Sequence, residues 1–337
     1  MIVRVNFEAA RTFGERASKI VSRIPIDPFT DPRYYPPPDY DREIVTSYFL
    51  VMVAMDHRLS RPHRPYEGVV DGEFYHGADL LYRLGVKKLR EDPDFFTSRR
   101  LSKITIKDIL NWLSLEYKGR RVAPPDPELR AMLLRDIGVK LETLFDGEAY
   151  NLILASRGHL KNGIGGFINL LKVFVAYQDP VEKKAYLLAK FLERRRILEV
   201  VDHFNKEVPV DNHLTRIALR LGIVEVDDDT LEAIAAGRPF TWEEDVMLRM
   251  AARIAYKEAA RAGGMDPFIL DDFLWLFGRK CCTRDNPLCR RNCSGACKNI
   301  NACGDPAPKC AFSDLCKAFK NPLYMVPEHN YLNTWYY

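Results

Sequence analysis

All eight cysteines of this 337-residue chain fall between Cys281 and Cys316. A protein that uses disulfides in place of a core spreads its cysteines along its length. One dense group reads first as a metal or iron–sulfur site. Four thiolates held around one centre would pin four points of backbone, so this stretch limits the fold more than any other. The chain is long enough to bury a sizeable core of its own and to form two domains.

The longest uninterrupted apolar run, Tyr48 to Met55, is far too short to span a bilayer. The opening residues, MIVRVNFEAARTFGERASK, lack the apolar core of a signal peptide. The expectation is a soluble, monomeric protein of the cytoplasm with no membrane partner. The formal charge of +4 is modest, but its distribution is uneven. Between Cys289 and Lys320, Arg290, Arg291, Lys298, Lys309, Lys317 and Lys320 face only Asp305 and Asp314. Such a patch suits contact with a phosphate backbone, or it is a solvated basic tail.

Helical periodicity accounts for most of the chain, and no run of alternating strands stands out, which predicts an all-α fold. Helices are expected over residues 5–22, 41–59, 73–84, 106–117, 128–145, 167–177, 181–196, 227–237, 241–263 and 266–278. The segment 27–40, with five prolines, is an extended surface connection. Residues 119–127 read as a loop. Asp179 is a candidate N-cap, with Pro180 at the first helical position and Glu182 completing a capping box.

The stretch Lys206 to Gly222, KEVPVDNHLTRIALRLG, runs from an extended entry into a helix. Leu214, Ile217, Ala218 and Leu221 form one apolar face, and Asp211 stands where a cap would stand. On spacing alone the aspartate is a helix cap. The full string closely resembles the segment that carries the essential aspartate of the helix-hairpin-helix DNA glycosylases, the superfamily of endonuclease III, MutY and 8-oxoguanine glycosylase. The matching residues are Val208, Pro209, Val210, Asp211, His213, Arg216, Ile217, Ala218, Arg220, Leu221 and Gly222. Cys282 to Cys289 is a C-x6-C, and Cys310 to Cys316 a C-x5-C, like the two halves of that family's C-x6-C-x2-C-x5-C cluster loop. Here twenty residues separate the halves where the family has two. The likeness covers about residues 160–320.

The resemblance implies a DNA glycosylase of base-excision repair, associated with the nucleoid and acting on double-stranded DNA that contains a lesion. Asp211 would stabilise the oxocarbenium-like centre formed as the N-glycosidic bond breaks. An AP-lyase activity would need a Schiff-base lysine. The family's x-K-[TV]-A matches Lys183, whereas Lys184 lies on the apolar helical face and has the desolvation a nucleophile needs. The family's hairpin glycines are absent: Asp179, Pro180, Val181, Glu182 and Lys183 stand in their place. Candidate DNA contacts are Lys161, Asn162, Gly163 and Gly165 in the glycine-rich stretch before the hairpin, with His213 and Arg216. A [4Fe–4S] cluster would sit on Cys282, Cys289, Cys310 and Cys316, or alternatively on Cys282, Cys289, Cys297 and Cys303. Structural zinc competes for any four, and the other four cysteines could pair as disulfides. The implied domains are 1–40 with 205–337, carrying the cluster, and a helical barrel over 41–204 containing the hairpin, with Asp211 and the hairpin facing each other across the cleft between them. The alternatives are an N-glycosidase for a free modified nucleoside or nucleotide, favoured by the hairpin acids, and a non-catalytic DNA-binding iron–sulfur protein.

Overall fold

The computed structural model describes residues 1–61, 63–304 and 309–337, so Asp305 of the basic stretch lies outside the described residues. The chain divides into two compact units, Met1–Ile26 with Lys206–Asn333, and Asp27–Asn205 with Thr334–Tyr337. The proline-rich segment 27–40 therefore joins the second unit and not the first. Its carbonyls have no helix or sheet partner of their own. Arg195 donates to the carbonyls of Phe29, Pro36 and Pro37 at 2.8–2.9 Å, and Tyr35 packs against Phe49 and Phe191.

Most described residues with regular structure are helical, as the periodicity predicts. Three two-stranded antiparallel ribbons are the departure from a purely helical fold. Val3–Val5 pairs with Val224–Val226, Glu67–Val70 with Glu73–His76, and Leu115–Tyr117 with Arg120–Val122. The expected helix over 73–84 is thus a strand followed by a helix, Ala78–Glu91, and the expected loop at 119–127 holds a strand. Each ribbon depends on a cross-strand partner, which a search for helical periodicity in single segments passes over.

In the first unit, helix Phe7–Val21 packs on the long helix Trp242–Ala262. The approach is close because position 14 is glycine: a Cβ there would stand 2.0 Å from the Ala259 carbonyl oxygen. In the second unit, helix Arg42–Met55 is buried from Val45 onward. It is apolar all round, as a helix packed on several sides must be, and helices Ala78–Glu91, Pro127–Leu144 and Lys183–Arg194 pack on it. No helix among the described residues is long and apolar enough to cross a membrane.

Candidate active site and cluster loop

Asp211 begins helix Asn212–Leu221 with extended backbone, and its Oδ1 accepts the Leu214 amide at 2.9 Å. The cap expected from spacing is present. It uses one carboxylate oxygen; Oδ2 makes no hydrogen bond among the described residues, so capping leaves it available to a substrate. The entry to the helix is rigid. Val208 and Val210 are fully buried, and the Val210 carbonyl accepts from Arg249, 3.5 Å away. Arg249 forms a buried ion pair with Asp245, whose second oxygen meets His329 Nε2 at 2.8 Å. This support was missed in the sequence; its one local signal is the i,i+4 pair Asp245–Arg249.

The same helix carries the cysteine loop on its far end. Cys282, Cys289, Cys310 and Cys316 line one pocket with Leu221, Leu288 and Phe312, and Cys281 lines it too. Arg220 Nη1 reaches Cys282 Sγ at 3.5 Å, and Cys316 Sγ lies 3.2 Å from the Arg220 carbonyl. Burial pushes the Cys316 thiol up to about 12, with Cys282 adding to the rise, and moves Cys289 and Cys310 upward too. Thiols grouped in this way resist carrying charge unless a cation shares it. These four residues fit a [4Fe–4S] cluster in donor type and grouping. Such a cluster, if held there, would supply one-electron redox chemistry. Among the described residues, no three His, Cys, Asp or Glu side chains are set to hold a single metal ion. The alternative ligands Cys297 and Cys303 do not line this pocket. Cys303 is bonded to Cys293, with their Cα atoms 6.1 Å apart.

His213 and Arg216, the expected DNA contacts, make their contacts to protein groups inside the first unit. Arg216 is 1% exposed and donates to the carbonyls of Gly278 and Cys282 at 2.9 and 2.7 Å and to Glu328. Burial brings its guanidinium down to about 10. His213 lies against Gly278, where a Cβ would stand 2.1 Å from its Nε2. Burial, with the Arg216 charge adding to it, lowers the imidazole to about 4.

In the second unit, the turn 178–182 leads into helix Lys183–Arg194. The helix starts two residues later than predicted, because Glu182 is left-handed at φ 62°. Asp179 is therefore not the N-cap, nor Pro180 the first helical residue; the two Asp179 oxygens accept the Val181 and Lys183 amides, each at 3.0 Å. Glu182 does not complete a capping box. Its carboxylate pairs with Lys161 at 2.8 Å and Lys172 at 2.6 Å.

The two lysines differ sharply. Lys184 is fully buried, donates to the Ala54 carbonyl and sits 3.2 Å from His57 Nδ1. Burial, reinforced by the Lys183 charge, holds its amine well below the ordinary lysine range. Lys183 is 8% exposed, which leaves it a narrow route to solvent. Arg130 donates to the Met55 and His57 carbonyls, so Lys184 and Arg130 together tie down the end of helix Arg42–Met55. Neither tie is visible in sequence, because the partners lie more than seventy residues apart.

Asn162 and Gly163 are exposed in the glycine-rich loop, and Gly165 closes its turn onto the Asn162 carbonyl at 2.9 Å. Lys161 is half-buried against Glu182. Asp202 already accepts the Leu160 and Lys161 amides, at 2.7 and 3.0 Å. The residue missed here is Ile164, 93% exposed at the tip between glycines. An isolated apolar residue among glycines was its signal. Neither a protein-family model nor a curated protein matches the chain.

Proposed function

We propose that this protein is a base-excision DNA glycosylase in which Asp211 is the electrostatic catalyst and Cys282, Cys289, Cys310 and Cys316 hold a [4Fe–4S] cluster. The observation that carries the reading is one helix, Asn212–Leu221. Its first turn presents Asp211 with an unoccupied carboxylate oxygen, and its last turn contacts the cysteine pocket through Arg220. In the reaction, the bond from C1′ to the base nitrogen breaks and its electron pair leaves with the base. The Asp211 carboxylate balances the positive charge left on the sugar. Water then adds at C1′. In a bifunctional enzyme Lys183 adds in its place, and its amine becomes a Schiff base that borohydride reduces to a stable secondary amine. We assign the attack to Lys183 because Lys184 is sealed against Ala54 and His57. Ile164, with Gly163 and Gly165, suits an apolar wedge entering a duplex.

A second reading, cleavage of a free modified nucleotide, draws on the turn before helix Lys183–Arg194. Asp179 holds the Val181 and Lys183 amides that a backbone phosphate would otherwise approach, and Glu182 adds a negative charge.

A panel of duplexes bearing single lesions, incubated with and without borohydride, tests the proposal. Base release from at least one duplex, abolished by changing Asp211, is the expected result. Release from none of them, together with cleavage of a free nucleotide, would transfer the conclusion to the second reading.

A further inference from the structure

The twenty residues between Cys289 and Cys310 are a problem for any cluster held at both ends of that span. A free loop of this length samples many conformations, yet the pocket needs its cysteines in fixed places. Of the other four cysteines, Cys293, Cys297 and Cys303 lie within this insertion, and Cys281 directly precedes Cys282 at the pocket's edge.

Cys293 and Cys303 are bonded to each other across ten residues. Cys303 also pairs with Cys310 through a backbone bridge, so this cross-link ends beside a pocket cysteine. The chain around it is ordered by the Ala311 amide on the Ala302 carbonyl at 2.9 Å. At the other flank, Cys281 precedes the pocket's Cys282. Cys281 and Cys297 are both fully buried free thiols, and burial pushes the Cys281 thiol up, with its neighbour Cys297 adding to the rise. Cys297 Sγ packs 3.4 Å from the Lys280 carbonyl. Arg291 clamps the same place: its Nη2 donates to that carbonyl at 2.7 Å and reaches Cys297 Sγ at 3.7 Å. Cys281 and Cys297, and Cys293 and Cys303, thus form two neighbouring sets apart from the four cysteines assigned to the cluster, with Cys281 at the pocket's edge.

We propose that Cys281 and Cys297 form a second disulfide, so that two cross-links, Cys281–Cys297 and Cys293–Cys303, take the place of the short chain path between the two halves of the cluster loop. The purpose assigned to them rests on the iron–sulfur reading of the other four cysteines; their existence does not. Each bond forms during folding, before the thiols are buried, by exchange with a low-molecular-weight disulfide. One cysteine thiolate attacks that disulfide and releases one small thiol. The second cysteine attacks the mixed disulfide and releases the other. The two cysteines are oxidised by two electrons and the small disulfide is reduced to two thiols.

The test counts thiols on the full chain, purified without air or added reductant. The protein is unfolded in guanidinium with a chelator and excess N-ethylmaleimide, weighed, digested and mapped. Iron and sulfide are measured on the same sample. Four modified cysteines are expected, together with linked peptides joining 281 to 297 and 293 to 303. Cys281→Ser should raise the count to four of the remaining seven plus Cys297, five in all, and the native variant should lose iron to a chelator several-fold faster than wild type. Modification of Cys281 and Cys297 in iron-loaded wild-type protein would overturn the inference. So would one zinc per chain released together with these four thiols. A sample with both linked peptides and no iron would uphold the cross-links and sink the cluster, so the two failures are distinguishable.

Discussion

Arg220 Nη1 stands 3.5 Å from Cys282 Sγ, and the carbonyl of the same arginine stands 3.2 Å from Cys316 Sγ. One residue in the last turn of the Asp211 helix therefore touches two of the pocket's cysteines, Cys282 and Cys316. Its remaining donors meet the carbonyls of Val326 at 2.9 Å and of Thr283 and Arg284 at 2.7 Å each. Arg220→Met would leave three carbonyls without a donor. At about 1 kcal/mol each, the expected loss of stability is about 3 kcal/mol, read by denaturant unfolding, with faster loss of iron to a chelator. A variant as stable and as retentive as wild type would remove Arg220 from this role.

Protein prepared without air should be brown and show the broad visible absorption of thiolate-bound iron–sulfur. Cys282→Ser or Cys316→Ser should lose the colour. Cys281→Ser should keep it when freshly prepared, since Cys281 serves the insertion. A colourless wild-type protein that contains zinc would refute the ligand assignment.

Asp211→Asn tests catalysis apart from capping. Asparagine caps helices about as well as aspartate, so the melting temperature should hold within a few degrees. Base release should fall by roughly 10²-fold, as when one electrostatic stabiliser is removed. Unchanged turnover on a genuine substrate would reduce Asp211 to a cap.

Strand cleavage separates the two lysines. Borohydride should trap wild-type protein on lesion DNA, Lys183→Gln should trap none, and Lys184→Gln should still trap provided its thermal melt shows it folded. The reverse pattern would make the buried amine the nucleophile. Base release without any adduct would mean that water attacks. Binding should also weaken as salt rises, in proportion to the phosphates contacted.

Lys184 should leave a mark on stability against pH. Its folded-state pKa is lowered by burial, so between that value and about 10.4 the unfolded chain binds more protons than the folded one. Stability should therefore rise with pH through this window, by up to about 1.4 kcal/mol per unit for this group. The penalty is complete below the folded value and gone above the unfolded one. Lys184→Met removes the titrating group and should flatten that slope in urea unfolding series. An identical slope in both proteins would show that the amine titrates normally.

Several local features were legible from the residues alone. Asp211 caps where side-chain chemistry and spacing placed a cap, because a cap needs only its own next three or four residues. The helices over 128–145 and 241–263 appear within a residue or two, because long amphipathic repeats report their own burial. The strands at Glu73–His76 and Arg120–Val122 did not show, since each is stabilised by a partner strand and not by its own pattern. The late start of helix Lys183–Arg194 turns on one left-handed residue, Glu182, whose carboxylate is held by Lys161 and Lys172 from earlier in the chain.

By itself the sequence determined that the chain is mainly helical, that Asp211 opens a helix and that eight cysteines share one region, all properties of neighbours along the backbone. Tertiary structure alone decided which cysteines share a pocket, that Arg216 faces the cysteine loop, and that Lys184 is sealed while Lys183 retains some exposure. Those outcomes depend on what is excluded from water and by which distant segment. Adjacent residues such as Lys183 and Lys184, or Cys281 and Cys282, have nearly the same sequence surroundings and are told apart only by the packing around them.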